Sequence, residues 1–240
     1  MKTNKEIEIK WHADHVKRSD FLEFMMGQLK KTGTTKWGYV TVFGPDYYWE
    51  TDQSWVGEAT KKIQSYLETV DLPQDKKNEI VKTIKDSIES RLPLNVIRNR
   101  VSEDRNELTA KARLGDRHIT VRQEENVLLD KQKAKQKDID NLISLIGMKR
   151  SVTIKKDCDI YNIEMDNGAK VDVVWYKTMV KGFDDQVFIE VEVEGIPENE
   201  ALEVLTQWKN QLRYHLKLTD DLISNESLYE IFTGKTYKKV

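Results

Sequence analysis

The strongest constraint in this chain is a division of charge that repeats in strand after strand. Lys5 to Trp11 reads Lys-Glu-Ile-Glu-Ile-Lys-Trp. In an extended chain successive side chains point to opposite faces, so Glu6, Glu8 and Lys10 share one face and Ile7, Ile9 and Trp11 the other. A single surface strand would show the same alternation. Here it returns near the far end, where Phe188 to Glu194 puts Glu190 and Glu192 opposite Ile189, Val191 and Val193.

Between these acidic strands lie runs with the same two faces but basic charge. Val96 to Val101 sets Arg98 and Arg100 opposite Ile97, and Leu108 to Arg113 sets Thr109, Lys111 and Arg113 opposite Leu108, Ala110 and Ala112. Ile119 to Glu124 adds Arg122 and Glu124 opposite Ile119 and Val121. If the apolar faces pack outward under helices, the charged faces must share an interior. That predicts an α+β protein: a closed antiparallel β-barrel, or tunnel, of about eight strands with helices packed outside.

The ordered set Glu6-Ile-Glu8-Ile-Lys10, Arg98-x-Arg100, Leu108-Thr109-x-Lys111, Arg122-x-Glu124 and Phe188-x-Glu190-x-Glu192 resembles the CYTH domain, the triphosphate tunnel metalloenzymes. That family includes class IV adenylate cyclases, thiamine triphosphatases, inorganic triphosphatases and, more distantly, RNA 5′-triphosphatases. Asp46-Tyr47-Tyr48 resembles the family's Asp-x-Tyr strand, and Asp172 resembles one of its carboxylates. The family's third motif often reads Arg-x-Glu-x-Glu. Here Arg122-Gln123-Glu124-Glu125-Asn126 moves the second acid to the opposite face.

Composition narrows the classes without naming one. At 240 residues with a formal net charge of −2, the chain carries neither a strongly basic surface for polyanions nor a strongly acidic one. Its single cysteine, Cys158, excludes an internal disulfide framework and fits a reducing compartment. Apolar runs fall short of the roughly 18 residues of a membrane span. We expect a cytoplasmic protein with no membrane partner.

In chain order, the pattern predicts a helix over Ala13 to Lys31, then a strand from Thr34 to Phe43 turned by Gly44-Pro45-Asp46 into a second strand, Tyr47 to Thr51. Two helical stripes between Trp55 and Arg91, parted by Leu72-Pro73, look like an insertion at 55–92: a lid, an interface or a support. A meander of three strands follows, then a helix over Asp130 to Met148 with Gly147 as its stop. Lys149 to Lys156 and Ile160 to Met165 read as strands, and Asp166-Asn167-Gly168 as a type I′ hairpin into Lys170 to Tyr176. Glu198 to Lys217 and Ser227 to Phe232 read as helices. With no repeat, linker or low-complexity tail, residues 1–240 read as one domain.

Closing such a sheet would bring Glu6, Glu8, Glu190 and Glu192 together, more carboxylates than a desolvated interior holds without a cation. Oxygen ligands without a soft-ligand cluster point to Mg²⁺ or Mn²⁺. The opposite half would hold a triphosphate, since guanidinium groups bind phosphate oxygens bidentately. Its members are Lys10, Arg98, Arg100, Lys111, Arg113, Arg122 and Lys155. Alternation alone leaves Lys156 open as the last of these.

The resemblance implies more. Asp172 and Glu124 join the metal set, and Glu190 or Glu192, with Lys10, serves catalysis by orienting water against the terminal phosphorus. Expected partners are a triphosphate-containing small molecule or an RNA 5′ end, and a homodimer is compatible with the reading. Hydrolysis ranks ahead of cyclisation to cyclic AMP and pyrophosphate, because it needs no nucleotide pocket. A non-catalytic module that binds triphosphates or RNA ends is a third reading.

Overall fold

The structure is a computed structural model. It describes residues 5–32, 36–50, 56–89, 96–101, 105–113, 120–130, 135–145 and 147–235, with side chains at 7–31, 36–50, 60–85, 96–101, 106–109, 127–130, 135–145 and 147–235. Eight strands and six helices are present among them: β1 Lys5–His12, α1 Arg18–Thr32, β2 Trp37–Glu50, α2 Val56–Leu67, α3 Gln74–Glu89, β3 Val96–Val101, β4 Arg105–Arg113, β5 Thr120–Asp130, α4 Gln136–Leu145, β6 Lys149–Glu164, β7 Lys170–Met179, β8 Gln186–Glu194, α5 Glu198–Leu216 and α6 Leu228–Thr233. The strands form an antiparallel sheet in the hydrogen-bonded order β1-β5-β4-β3-β2-β6-β7-β8. The α+β class expected from the alternation is therefore present.

Several boundaries differ from the sequence expectation. Gly44-Pro45-Asp46 makes no turn; β2 runs through it. A Cβ at Gly44 would lie 2.3 Å from the Val101 carbonyl oxygen, so the glycine marks a close backbone approach between strands. The region expected as two strands around Lys156 is one strand, β6. β5 extends to Asp130 because Val127 and Leu129 are buried, which delays α4 to Gln136. Gly147 ends that helix with φ 76°, as a glycine stop should.

The hairpin from β6 to β7 is where Asp166-Asn167-Gly168 predicts it, but it is not type I′. Met165 N–H donates to Ala169 O at 2.9 Å, and Gly168, with φ 85°, is the left-handed residue of this loop while Asn167 is not. A three-residue loop with glycine in the last place is the bulged alternative to the two-residue turn.

The chain divides into two compact units. One comprises Met1–Phe43, Arg113–Gln123 and Lys156–Ser227; the other comprises Gly44–Ala112, Glu124–Lys155 and Leu228–Val240. In the first, Ile7, Ile9 and Trp11 of β1, Val171 and Val173 of β7, and Ile189, Val191 and Val193 of β8 form the apolar side of the sheet. Phe21 and Met25 of α1 and Leu205 and Leu212 of α5 cover it. Arg18 of α1 adds an ion pair to fully buried Asp159, Nε to Oδ2 at 2.6 Å.

In the second unit, Ile97 of β3, Leu108 of β4, and Val127 and Leu129 of β5 make the apolar side. Ile63 and Leu67 of α2, Ile80 and Ile84 of α3, and Ile139, Leu142 and Ile143 of α4 pack on it. Burying each such side chain contributes about 1.5–3 kcal/mol. The two helices α2 and α3 thus pack on this side of the sheet.

Candidate active site

With the apolar side of each sheet fixed by its helices, the alternate residues follow from register. In the first unit β1 and β8 place Glu8 opposite Glu192 and Lys10 opposite Glu190. β7 and β8 place Asp172 opposite the same Glu192. Three carboxylates therefore stand in one row across three strands, Glu8, Glu192 and Asp172. The next row begins with the pair Lys10 and Glu190. Glu6 is in register with Arg122 on β5.

Burial is uneven along these rows. Glu8 and Lys10 are each 2% exposed. Lys10 Nζ lies 3.8 Å from Glu190 Oε1. Asn162 Nδ2 donates to Asp172 Oδ1 at 2.8 Å. Burial pushes the Asp172 carboxyl above its ordinary range; the Asn162 hydrogen bond opposes that and the neighbouring Glu194 charge adds to it. Among the described residues no three His, Cys, Asp or Glu side chains converge into a ready-made metal cluster.

His12 ends the Glu8 and Lys10 face of β1 and meets the Phe188 ring at 4.8 Å between centroids. Burial lowers its pKa, helped by the Lys10 charge and opposed by Asp14 and Glu226. His15, three residues on, is used elsewhere: Nε2 lies 3.0 Å from Leu216 O.

In the second unit Asp46, Arg100 and Glu107 occupy one row, and Tyr48, Arg98 and Thr109 the next. Arg98 Nη2 donates to Glu107 Oε1 at 3.0 Å and to Thr109 Oγ1 at 2.9 Å. Arg100 Nε donates to Asp46 Oδ1 at 2.9 Å and Nη2 to Oδ2 at 3.3 Å. Both arginines face the same side, as Arg98-x-Arg100 predicts, but each is held by an acid. The sequence pattern begins the second strand of the meander at Leu108, whereas β4 begins at Arg105 and brings Glu107 into register with Arg100.

One position is corrected. Lys155 is exposed, and Lys156 is the buried lysine of β6. Lys156 Nζ stands 5.0 Å from the centroid of the Tyr176 ring. A pair of adjacent lysines on a long strand gives no parity of its own; Asn162, six residues on and bonded to Asp172, shows which parity faces the acids. The side chains of Glu6, Lys111, Arg113, Arg122 and Glu124 lie outside the described residues.

Tyr176 also belongs to this site and was absent from the sequence expectation. Its hydroxyl donates to Glu190 Oε1 at 2.7 Å. The signal was available in the alternation of β7, which carries Asp172, Val174 and Tyr176 on one face, but an aromatic residue in a strand reads first as packing.

The molecule thus defines an α+β class with an eight-stranded antiparallel sheet, apolar under its helices and charged on the other side. No family model matches the chain, and no curated protein matches it. Solved structures similar in chain path include HpAC1 from Hippeastrum, whose structure is described as revealing a dominant triphosphatase activity (12% identity, 97% of each chain covered, TM-score 0.47). A Mimivirus capping enzyme triphosphatase is similar at 11% identity over 87% of this chain and 88% of that one, TM-score 0.41. The Pct1 RNA triphosphatase of S. pombe, solved in complex with the Spt5 CTD, is similar at 12% over 90% and 86%, TM-score 0.40.

Proposed function

We propose that this chain is a divalent-metal-dependent triphosphatase, a single tunnel domain of the triphosphate tunnel type in which the eight-stranded sheet closes around the charged side chains. The observation that carries the reading is the separation of charge by row: Glu8, Glu192 and Asp172 in register in one unit, and Arg98 and Arg100 on one side of β3 in the other. Acids alone would suit a cation store, and arginines alone an anion-binding surface. Both together suit a metal–polyphosphate complex.

The donor chemistry of the acidic row fits a hard cation, Mg²⁺ or Mn²⁺, since it offers carboxylate oxygens and no sulfur or imidazole. Glu8, Glu192 and Asp172 would hold it, with Glu6 and Glu124 as further candidates. The ion, once bound, neutralises phosphate charge and polarises the phosphoryl oxygens.

The chain's own residues do the rest. Arg98 and Arg100 bind the substrate by exchanging carboxylate oxygens of Glu107 and Asp46 for phosphate oxygens, a swap of one charge-assisted hydrogen bond for another. Lys111, Arg113, Arg122 and Lys156 extend the basic set. Lys10, buried and beside Glu190, supplies a fixed positive charge to the reacting phosphate, and Glu190 or Glu192 orients the water. The expected setting is the cytoplasm; no described helix is long and apolar enough to cross a membrane.

The test is incubation with inorganic triphosphate, ATP and triphosphate-ended RNA, with and without Mg²⁺ or Mn²⁺, resolving orthophosphate, pyrophosphate and cyclic AMP. Cation-dependent release of orthophosphate supports hydrolysis. Pyrophosphate with cyclic AMP would move the assignment to a cyclase, and tight binding with no product to a non-catalytic module.

A further inference from the structure

We propose that Tyr176 is a positioning residue that holds the Glu190 carboxylate for the reaction, an inference that rests on the hydrolase reading above. β7 and β8 place Tyr176 opposite Phe188, not opposite Glu190. The tyrosine therefore reaches its acid diagonally, two residues along β8, as only a long side chain can. Its hydroxyl lies 2.7 Å from Glu190 Oε1, the same oxygen that lies 3.8 Å from Lys10 Nζ.

The ring is locked from both sides. It stacks on Phe188 with centroids 5.4 Å apart and planes inclined by 23°, and Lys156 Nζ sits 5.0 Å from its centroid. Tyr176 is 1% exposed and Phe188 fully buried, so no ligand stacks on either ring face. Their packing instead fixes the direction in which one hydroxyl points. Glu190 is the more accessible partner, at 16%. A carboxylate held at one oxygen by a rigid donor keeps a constant orientation. Orientation of that kind raises turnover more than it raises binding.

Tyr176→Phe removes the hydroxyl and keeps the ring, its stack and the lysine contact. Inorganic triphosphate hydrolysis in Mn²⁺ should lose about tenfold or more in kcat, the range for a hydrogen bond to a charged group, while KM stays within about twofold. The thermal midpoint, read without metal or substrate, should stay close to wild type. A crystal structure of the variant should show Glu190 turned from its wild-type rotamer. In a double-mutant cycle with Glu190→Gln, the double variant should be no slower than Glu190→Gln alone, because the tyrosine acts through that acid.

Wild-type kcat in Tyr176→Phe, a rotamer of Glu190 that does not change, or losses that multiply in the double variant would each overturn the proposal. Wild-type protein that releases no orthophosphate under any cation overturns the hydrolase reading and, with it, the part of Tyr176 in turnover; this control separates the two failures.

Discussion

Arg100 reaches across from β3 to Asp46 on β2 with two nitrogens, 2.9 and 3.3 Å from the two carboxylate oxygens. The two ends of this bridge differ in burial, since the Asp46 side chain is 2% exposed and that of Arg100 33%. The arginine serves a buried carboxylate, whereas the acid serves a cation that already meets water. Arg100→Met should therefore cost more stability than Asp46→Asn. Urea denaturation of both variants checks the order; equal losses would remove the burial argument.

Glu107 holds Arg98, Nη2 to Oε1 at 3.0 Å. A triphosphate that uses Arg98 must displace it. Glu107→Gln should consequently tighten binding of inorganic triphosphate by about fivefold, the scale of a partly exposed ion pair. Calorimetric titration without metal measures this directly. Weaker binding would mean that Glu107 itself belongs to the ligand site.

Two groups on the acidic side give opposite pH dependences. His12 has its pKa lowered below 6.5 by burial, with Lys10 adding to the effect. The unfolded chain thus binds more protons between the folded value and 6.5, so this contribution to stability is full above 6.5 and falls as pH drops through that window. Asp172 has its pKa raised above 3.8, by burial first. There the folded state binds more protons, and stability falls as pH rises from 3.8 through the folded value. Asp172→Asn should abolish the second slope, and His12→Gln the first, in denaturation series from pH 3 to 8.

Much of the site was legible because alternation with period two is set by backbone geometry alone. Glu8, Lys10, Glu190 and Glu192 fell on one side of their strands for that reason, with Ile7, Ile9, Val191 and Val193 behind them. The misreadings occurred where local propensity and tertiary context disagree. Gly44-Pro45 signals a turn by propensity, yet the contact with Val101 uses the same glycine within a strand. Lys155 and Lys156 are neighbours of the same type, so only the fold distinguishes them. Glu107 lay one residue before the apparent start of its strand, and its claim on Arg98 went unseen.

Gly44 gives a stability test of that contact. Because a Cβ there would sit 2.3 Å from backbone oxygen, which cannot rotate away, Gly44→Ala should force β2 from β3 and cost about 1–3 kcal/mol. A thermal midpoint equal to wild type would show that the strands separate freely.

The division of labour between acids and arginines is the central claim, and separate titrations of Mn²⁺ and of inorganic triphosphate against Glu192→Gln and Arg98→Ala test it most directly. Glu192→Gln should weaken Mn²⁺ binding about tenfold or more and leave metal-free triphosphate binding near wild type. Arg98→Ala should do the reverse, by a similar factor. Variants that each lose both ligands equally, or neither, would contradict the account.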